Sequence, residues 1–129
     1  MCGIRRRWLL LTPEEWVRQH FTAYLVSGLG VPAPMIANER SLRLNGTLRR
    51  CDTVVYDRSL RPVAIVEYKA PDVKITRETF EQIMRYNLVL GVGTLIVSNG
   101  LSHYCAARTP AGTFALLDHL PDYEEMCSR

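Results

Sequence analysis

A chain of 129 residues, 47% hydrophobic and 22% charged, has the size and composition of one ordinary globular domain. Its opening, MCGIRRRWLLL, sets basic residues before an apolar run, but Trp8 to Leu11 is too short for a secretory core or a membrane span. No other segment comes closer, so no membrane partner and a cytoplasmic location are expected, while the net charge of +3 is compatible with an anionic partner without requiring one.

The first element is a helix opened by Thr12-Pro13-Glu14-Glu15. Thr12 can cap, Pro13 suits the first helical position, and Glu15 completes a capping box. Val17, Phe21, Tyr24, Leu25 and Gly28 follow at helical spacing until GLGVPAP ends the run. Residues 39–44, ERSLRL, read as a strand, and Asn45-Gly46 turns it into a second, TLRRCDTVVY. A four-residue loop over 58–61 leads to PVAIVEYKAP, the most apolar strand of the chain, which ends in two opposite charges before Pro71.

A second helix is predicted from about Thr76 to Leu90, with Phe80, Ile83, Met84, Asn87, Leu88 and Leu90 on its broad face. TLIVS (94–98) is another buried strand. A second Asn-Gly, at 99–100, joins it to LSHYCAA, and TPAG turns toward TFALL. The order is α-β-β-β-α-β with extra strands after it: an α+β fold in one domain over 1–129. The core covers about 12–100, extra strands lie in 101–120, and residues 121–129 form an acidic tail expected to be poorly ordered.

The cysteines Cys2, Cys51, Cys105 and Cys127 form no C-x-x-C pair and have no histidine at zinc-ligand spacing, which suits a reduced setting. His20, His103 and His119 are scattered and read as surface or core residues. Of the 16 basic residues 14 are arginine, so Lys69, two places after a glutamate in an apolar strand, is not surface filler.

Counting across the 58–61 hairpin with Asp57 against Pro62 sets Tyr56 opposite Val63 and Asp52 opposite Glu67. Directly opposed residues share a face, with Cβ atoms about 4.5–5.5 Å apart. Alternation then puts Val63, Ile65, Glu67 and Lys69 together, and the Asn45-Gly46 hairpin brings Glu39 opposite Asp52 as well. Two acids and a base would converge at one strand end. Facing carboxylates need a neutraliser, which is either Lys69 in a structural ion pair or a divalent cation. Carboxylates and water make a hard oxygen site suited to Mg²⁺, and a nearby lysine can stabilise developing charge in phosphodiester hydrolysis.

The blocks CDTVVYD, PVAIVEYKAP, EQIMRYN and LIVSNG, in that order, resemble the N-terminal nuclease domain of type I restriction enzyme R subunits, in the PD-(D/E)XK nuclease superfamily. The resemblance spans about residues 12–100. It implies a restriction-endonuclease-like αβββαβ core with a mixed central sheet. It also implies a Mg²⁺-dependent DNA endonuclease, with Mn²⁺ able to substitute, that works with restriction-modification subunits. By it Asp52 and Glu67 would hold the metal, with the Tyr68 carbonyl as a further ligand, and Lys69 would act on the attacking water. Gln82 and Tyr86 match a Gln-x-x-x-Tyr element, Gln82 toward the active site and Tyr86 toward DNA. Some members add a first-helix glutamate; Glu15 is the candidate, and Glu39 the rival on geometric grounds. Arg49, Arg50, Lys74, Arg77 and Arg85 are candidate phosphate contacts, or else a solvated charged face.

Cys51 stands where the superfamily name has proline. No G-x-x-x-x-G-K-[ST] occurs, so this chain carries no ATP-driven motor of its own. The alternative reading is a non-catalytic nuclease-fold module that binds DNA or a restriction-complex subunit.

Overall fold

The computed structural model describes residues 12–44, 47–82 and 92–128, with the backbone alone over 39–44 and 47–51. Helix α1 runs Pro13–Ser27. The Thr12 hydroxyl accepts from the Glu15 amide at 3.1 Å, meeting one of the donors that a helix start leaves unpaired. Val17, Phe21 and Leu25 form the buried stripe. At the other end the Gly28 amide donates to the Tyr24 carbonyl at 2.7 Å. A side chain at position 28 would collide with the Tyr24 ring, so glycine there lets that ring lie across the helix end.

A 3₁₀ turn (Ala33–Met35) leads into six strands: β1 (Ile36–Leu44), β2 (Thr47–Tyr56), β3 (Pro62–Tyr68), β4 (Thr94–Ser98), β5 (His103–Arg108) and β6 (Phe114–Leu117). They form one sheet in the order β1-β2-β3-β4-β5-β6. Every neighbouring pair is antiparallel except β3–β4. That parallel pair needs a crossover, and the crossover carries helix α2, whose described part spans 77–82. Thr76 caps it, its hydroxyl accepting from the Thr79 amide at 3.1 Å. This is the expected α+β architecture: an αβββαβ core with a mixed sheet and two further strands.

The sheet buries both faces. On one, Val55, Ala64, Val66, Tyr68 and Ile96 pack against Val17, Phe21 and Leu25 of α1. On the other, Val54, Ile65, Leu95 and Val97 pack against Ile75 and Phe80 of the crossover. β4 sits in the middle of both cores, and all five of its residues are buried. A strand covered on two sides loses the polar alternation of a half-exposed one, hence the unbroken TLIVS.

Three expectations need correction. β1 begins at Ile36, three residues before the predicted start at 39, because Ile36 still pairs with Val55. The acidic end is a helix, α3 (Tyr123–Ser128), with Tyr123 and Met126 buried in the α1-side core. Its Tyr123 amide donates to the Leu29 carbonyl and its hydroxyl to the Tyr56 carbonyl, both at 2.8 Å. An apolar pair at i and i+3 outweighs the acidic composition there.

The third concerns the β2–β3 hairpin. Its loop has three residues, not four: the Asp57 amide donates to the Arg61 carbonyl, and Leu60 takes a left-handed φ of 64°. Asp57 Oδ1 accepts from the Ser59 and Arg61 amides and fixes the turn. A bulge follows, so Tyr56 pairs with Pro62 rather than Val63. Val63 consequently packs with the α1-side core while Ile65 faces α2. The shorter loop and the extra bulged residue cancel. Beyond the bulge the register is the expected one, through Val55–Ala64, Val54–Ile65 and Thr53–Val66.

Candidate active site

Asp52 and Glu67 are the next residues on their strands beyond the Thr53–Val66 pair, at the open end of the β2–β3 ribbon. One oxygen of the Asp52 carboxylate accepts from the Tyr68 amide at 2.9 Å. That bond crosses from β2 to the residue after Glu67 and holds the two acids side by side. Both are half-buried. The Tyr68 ring lies on the α1 side, its hydroxyl 2.9 Å from Thr53 Oγ1, which donates to Asn38 Oδ1 at 2.6 Å. Burial pushes the Tyr68 phenol above its ordinary range, so it stays a protonated hydroxyl within this chain of bonds. The Lys69 amide is tied to the Ser98 carbonyl of β4 at 2.9 Å. The end of β3 is thereby tied to β4 and to the core.

Glu67 carries the electrostatic signature of the site. Burial first, then the Asp52 charge, raise its carboxyl from 4.5 to about 7; Lys69 pulls it down, and Glu14 pushes it up. Negative charge thus outweighs positive around Glu67.

Glu14 is the residue that sequence reasoning missed. Glu15, the expected first-helix candidate, is engaged by Arg18 and Gln19 within its own helix. Glu14 acts on Glu67 instead. The signal lay in the helical period: 14 precedes 17, 21 and 25 on the buried stripe, whereas 15 falls off it. Carried one turn beyond the core, that stripe reaches the sheet end. There Thr12, Glu14, Glu15, Arg18, Asp52 and Tyr68 line a polar cavity of about 210 Å³.

The other expected residues divide. Lys69 is half-buried, and its charge lowers the Glu67 pKa. Gln82 is exposed at the described end of α2. Lys74 and Arg77 are exposed, and Arg77 borders a separate apolar cavity with Phe80 and Tyr104. Glu39 and Asp52 stand level between the pairs Asn38–Thr53 and Arg40–Cys51, as the hairpin count implied. Arg49 and Arg50 lie on β2, where the backbone alone is described, and Arg85 and Tyr86 lie outside the described residues.

The comparisons with known proteins agree with this fold. The family described as type I restriction enzyme R protein N terminus matches residues 13–121. Among solved structures, the chain is similar to a fragment of a putative HsdR subunit of a type I restriction enzyme from Vibrio vulnificus. The TM-score is 0.66 and the identity 18%, over 93% of this chain and 25% of that one. The chain thus spans about a quarter of that relative's length, and the likeness speaks for a restriction-endonuclease-like fold. No curated protein sequence matches the chain. From the match over most of its length, the chain belongs to the family of type I restriction enzyme R protein N-terminal domains.

Proposed function

We propose that this chain is a divalent-metal-dependent DNA endonuclease domain that hydrolyses phosphodiester bonds. The observation that carries the reading is the side-by-side placement of Asp52 and Glu67, with Lys69 and Glu14 acting on the same carboxylate. The donor set fits Mg²⁺: hard oxygens, clustered negative charge, and a polar cavity that admits water. Among the described residues no group of three or more His, Cys, Asp or Glu side chains is gathered to hold a metal. That favours a hydrated ion held by one or two carboxylates over an all-protein cage. Asp52 and Glu67 would hold it, with the Tyr68 carbonyl as the further ligand that the family suggests, and Mn²⁺ would substitute. The ion would supply Lewis-acid polarisation of the phosphodiester and a more acidic water.

The chain's own groups do the rest. Asp52, tied to the Tyr68 amide, fixes the spacing of the acids. Lys69 steadies the charge that develops on the attacked phosphate and orients the water. Gln82 and Tyr86 are the further site residues that the family suggests, and Arg49, Arg50, Lys74, Arg77 and Arg85 are the candidate phosphate contacts. Such contacts position DNA without reading its sequence. Other restriction-modification subunits are the proposed partners.

The second reading is a non-catalytic module that binds DNA or a restriction-complex subunit. Incubating the protein with plasmid DNA in Mg²⁺, Mn²⁺ or EDTA separates the two. The nuclease reading expects nicking in either metal, none in EDTA, and a loss of at least about a hundredfold in Lys69→Ala. Nicking that survives this substitution removes the catalytic assignment.

A further inference from the structure

A second cavity of about 210 Å³ lies on the α1 face of the sheet, among the rings of His20, Phe21, Tyr24 and His103, with Ser98 at the end of β4 and Gly100 of the following turn. Phe21 packs against His103 with ring centroids 5.3 Å apart, and the Tyr24 ring lies over Gly28. At the rim Trp16, which is 39% exposed, meets His20 with centroids 4.3 Å apart and rests over Gly100. Gly100 has a φ of +87°, and a Cβ there would come within 3.0 Å of the Trp16 ring, so this turn approaches the helix only as glycine. Ser98 Oγ accepts from the Gly100 amide at 3.0 Å and shares a 2.8 Å hydrogen bond with His103 Nδ1. Burial lowers the His103 pKa, so the ring is a neutral imidazole at neutral pH. Its Nε2 has no partner among the described residues.

This cavity backs onto the acidic one. Phe21 lines the aromatic cavity and Tyr68 the acidic cavity, and the two rings meet edge-on at 6.1 Å between centroids. Tyr68 pairs with Ser98 in the sheet, and the next amide, Lys69, donates to the Ser98 carbonyl. The Phe21–Tyr68 ring pair thus lies between the aromatic cavity and the one that Asp52 lines.

We propose that the aromatic cavity holds one unpaired DNA base of the strand whose phosphate lies at Asp52 and Glu67, so that the domain acts on single-stranded or locally opened DNA. The inference rests on the nuclease reading and names its substrate. Four features point to a base. The volume is below the roughly 300 Å³ of drug-sized pockets and admits one ring system rather than a base pair. Aromatic walls give the sequence-tolerant stacking by which proteins hold unpaired bases. Neutral His103, its Nδ1 engaged by Ser98, offers Nε2 to a base edge without adding charge. The adjacency of the cavities lets one strand present a base to one and a phosphate to the other, geometry that a stacked base in a duplex cannot reach.

The test uses a short single-stranded DNA carrying one 2-aminopurine, mixed with the protein in EDTA so that no cleavage occurs. Quenching of the 2-aminopurine on binding is expected, because the fluorophore is stacked. Affinity should fall about tenfold in His20→Ala and again in Tyr24→Ala, with duplex affinity unchanged. His20 is exposed, which keeps the test open should Tyr24→Ala unfold. Glu67→Gln should abolish nicking and keep the quenching, which separates failure of the cavity assignment from failure of the nuclease reading. Unquenched binding, no binding, equal affinity in both variants, or displacement by free dAMP at equal concentration would each overturn the proposal.

Discussion

β3 and β4 lie side by side in one sheet, pair in parallel, and end differently. β4 buries every residue from Thr94 to Ser98. β3 buries Ala64, Ile65 and Val66 and then exposes a carboxylate to two others at its end. One strand is built for cohesion. The other gives up cohesion at Glu67, where burial and the Asp52 charge raise the carboxyl to about 7. Substitutions should therefore change stability in opposite directions on the two strands.

The largest effect is expected on β4. Leu95 is fully buried in the α2-side core, and Leu95→Ala should cost about 2–5 kcal/mol in a denaturant titration. A cost under about 1 kcal/mol would mean that the α2 face is loosely packed.

Next is Glu67→Gln on β3, with the opposite sign. The folded-state pKa lies above the unfolded one, so the folded protein holds the extra proton between about pH 4.5 and 7. The stability this group contributes is present below 4.5 and lost as pH rises through 7. In EDTA, Glu67→Gln should match the wild type at pH 4 and exceed it at pH 8 by up to about 3 kcal/mol. A variant less stable at pH 8 would show that the charge is well compensated without metal.

The smallest effect sharpens the boundary between the regions. Thr12 caps α1 and also lines the acidic cavity. Thr12→Ala should cost about 1 kcal/mol at any pH, since its bond is to a backbone amide and involves no charge change. A cost that varies with pH would tie the cap to the acids beyond it.

Much of this was legible in the sequence because its signals are local. Strand limits at Thr47–Tyr56 and Thr94–Ser98 follow from Asn-Gly pairs, one just before the first strand and one just after the apolar TLIVS. Asp52 and Glu67 came together correctly although the hairpin was miscounted, because the shorter loop and the bulge shift the register by equal and opposite steps. The left-handed Leu60 that makes the short loop has no composition signal, being neither glycine nor asparagine. Glu14 was hidden by Glu15, whose capping pattern is the stronger local cue, although only Glu14 continues the buried stripe. The aromatic cavity could not be read at all. It joins His20 of α1 to His103 of β5, elements that meet through the Phe21–His103 contact and the close approach at Gly100.

Whether Asp52 of β2 and Glu67 of β3 are held together for a cation is decided by thermal unfolding with increasing Mg²⁺ or Mn²⁺. The wild type should gain stability with metal, by about 2.7 kcal/mol at a hundred times the dissociation constant, and Asp52→Asn should gain little. An equal gain in Asp52→Asn, or none in the wild type at millimolar metal, would show that they are not.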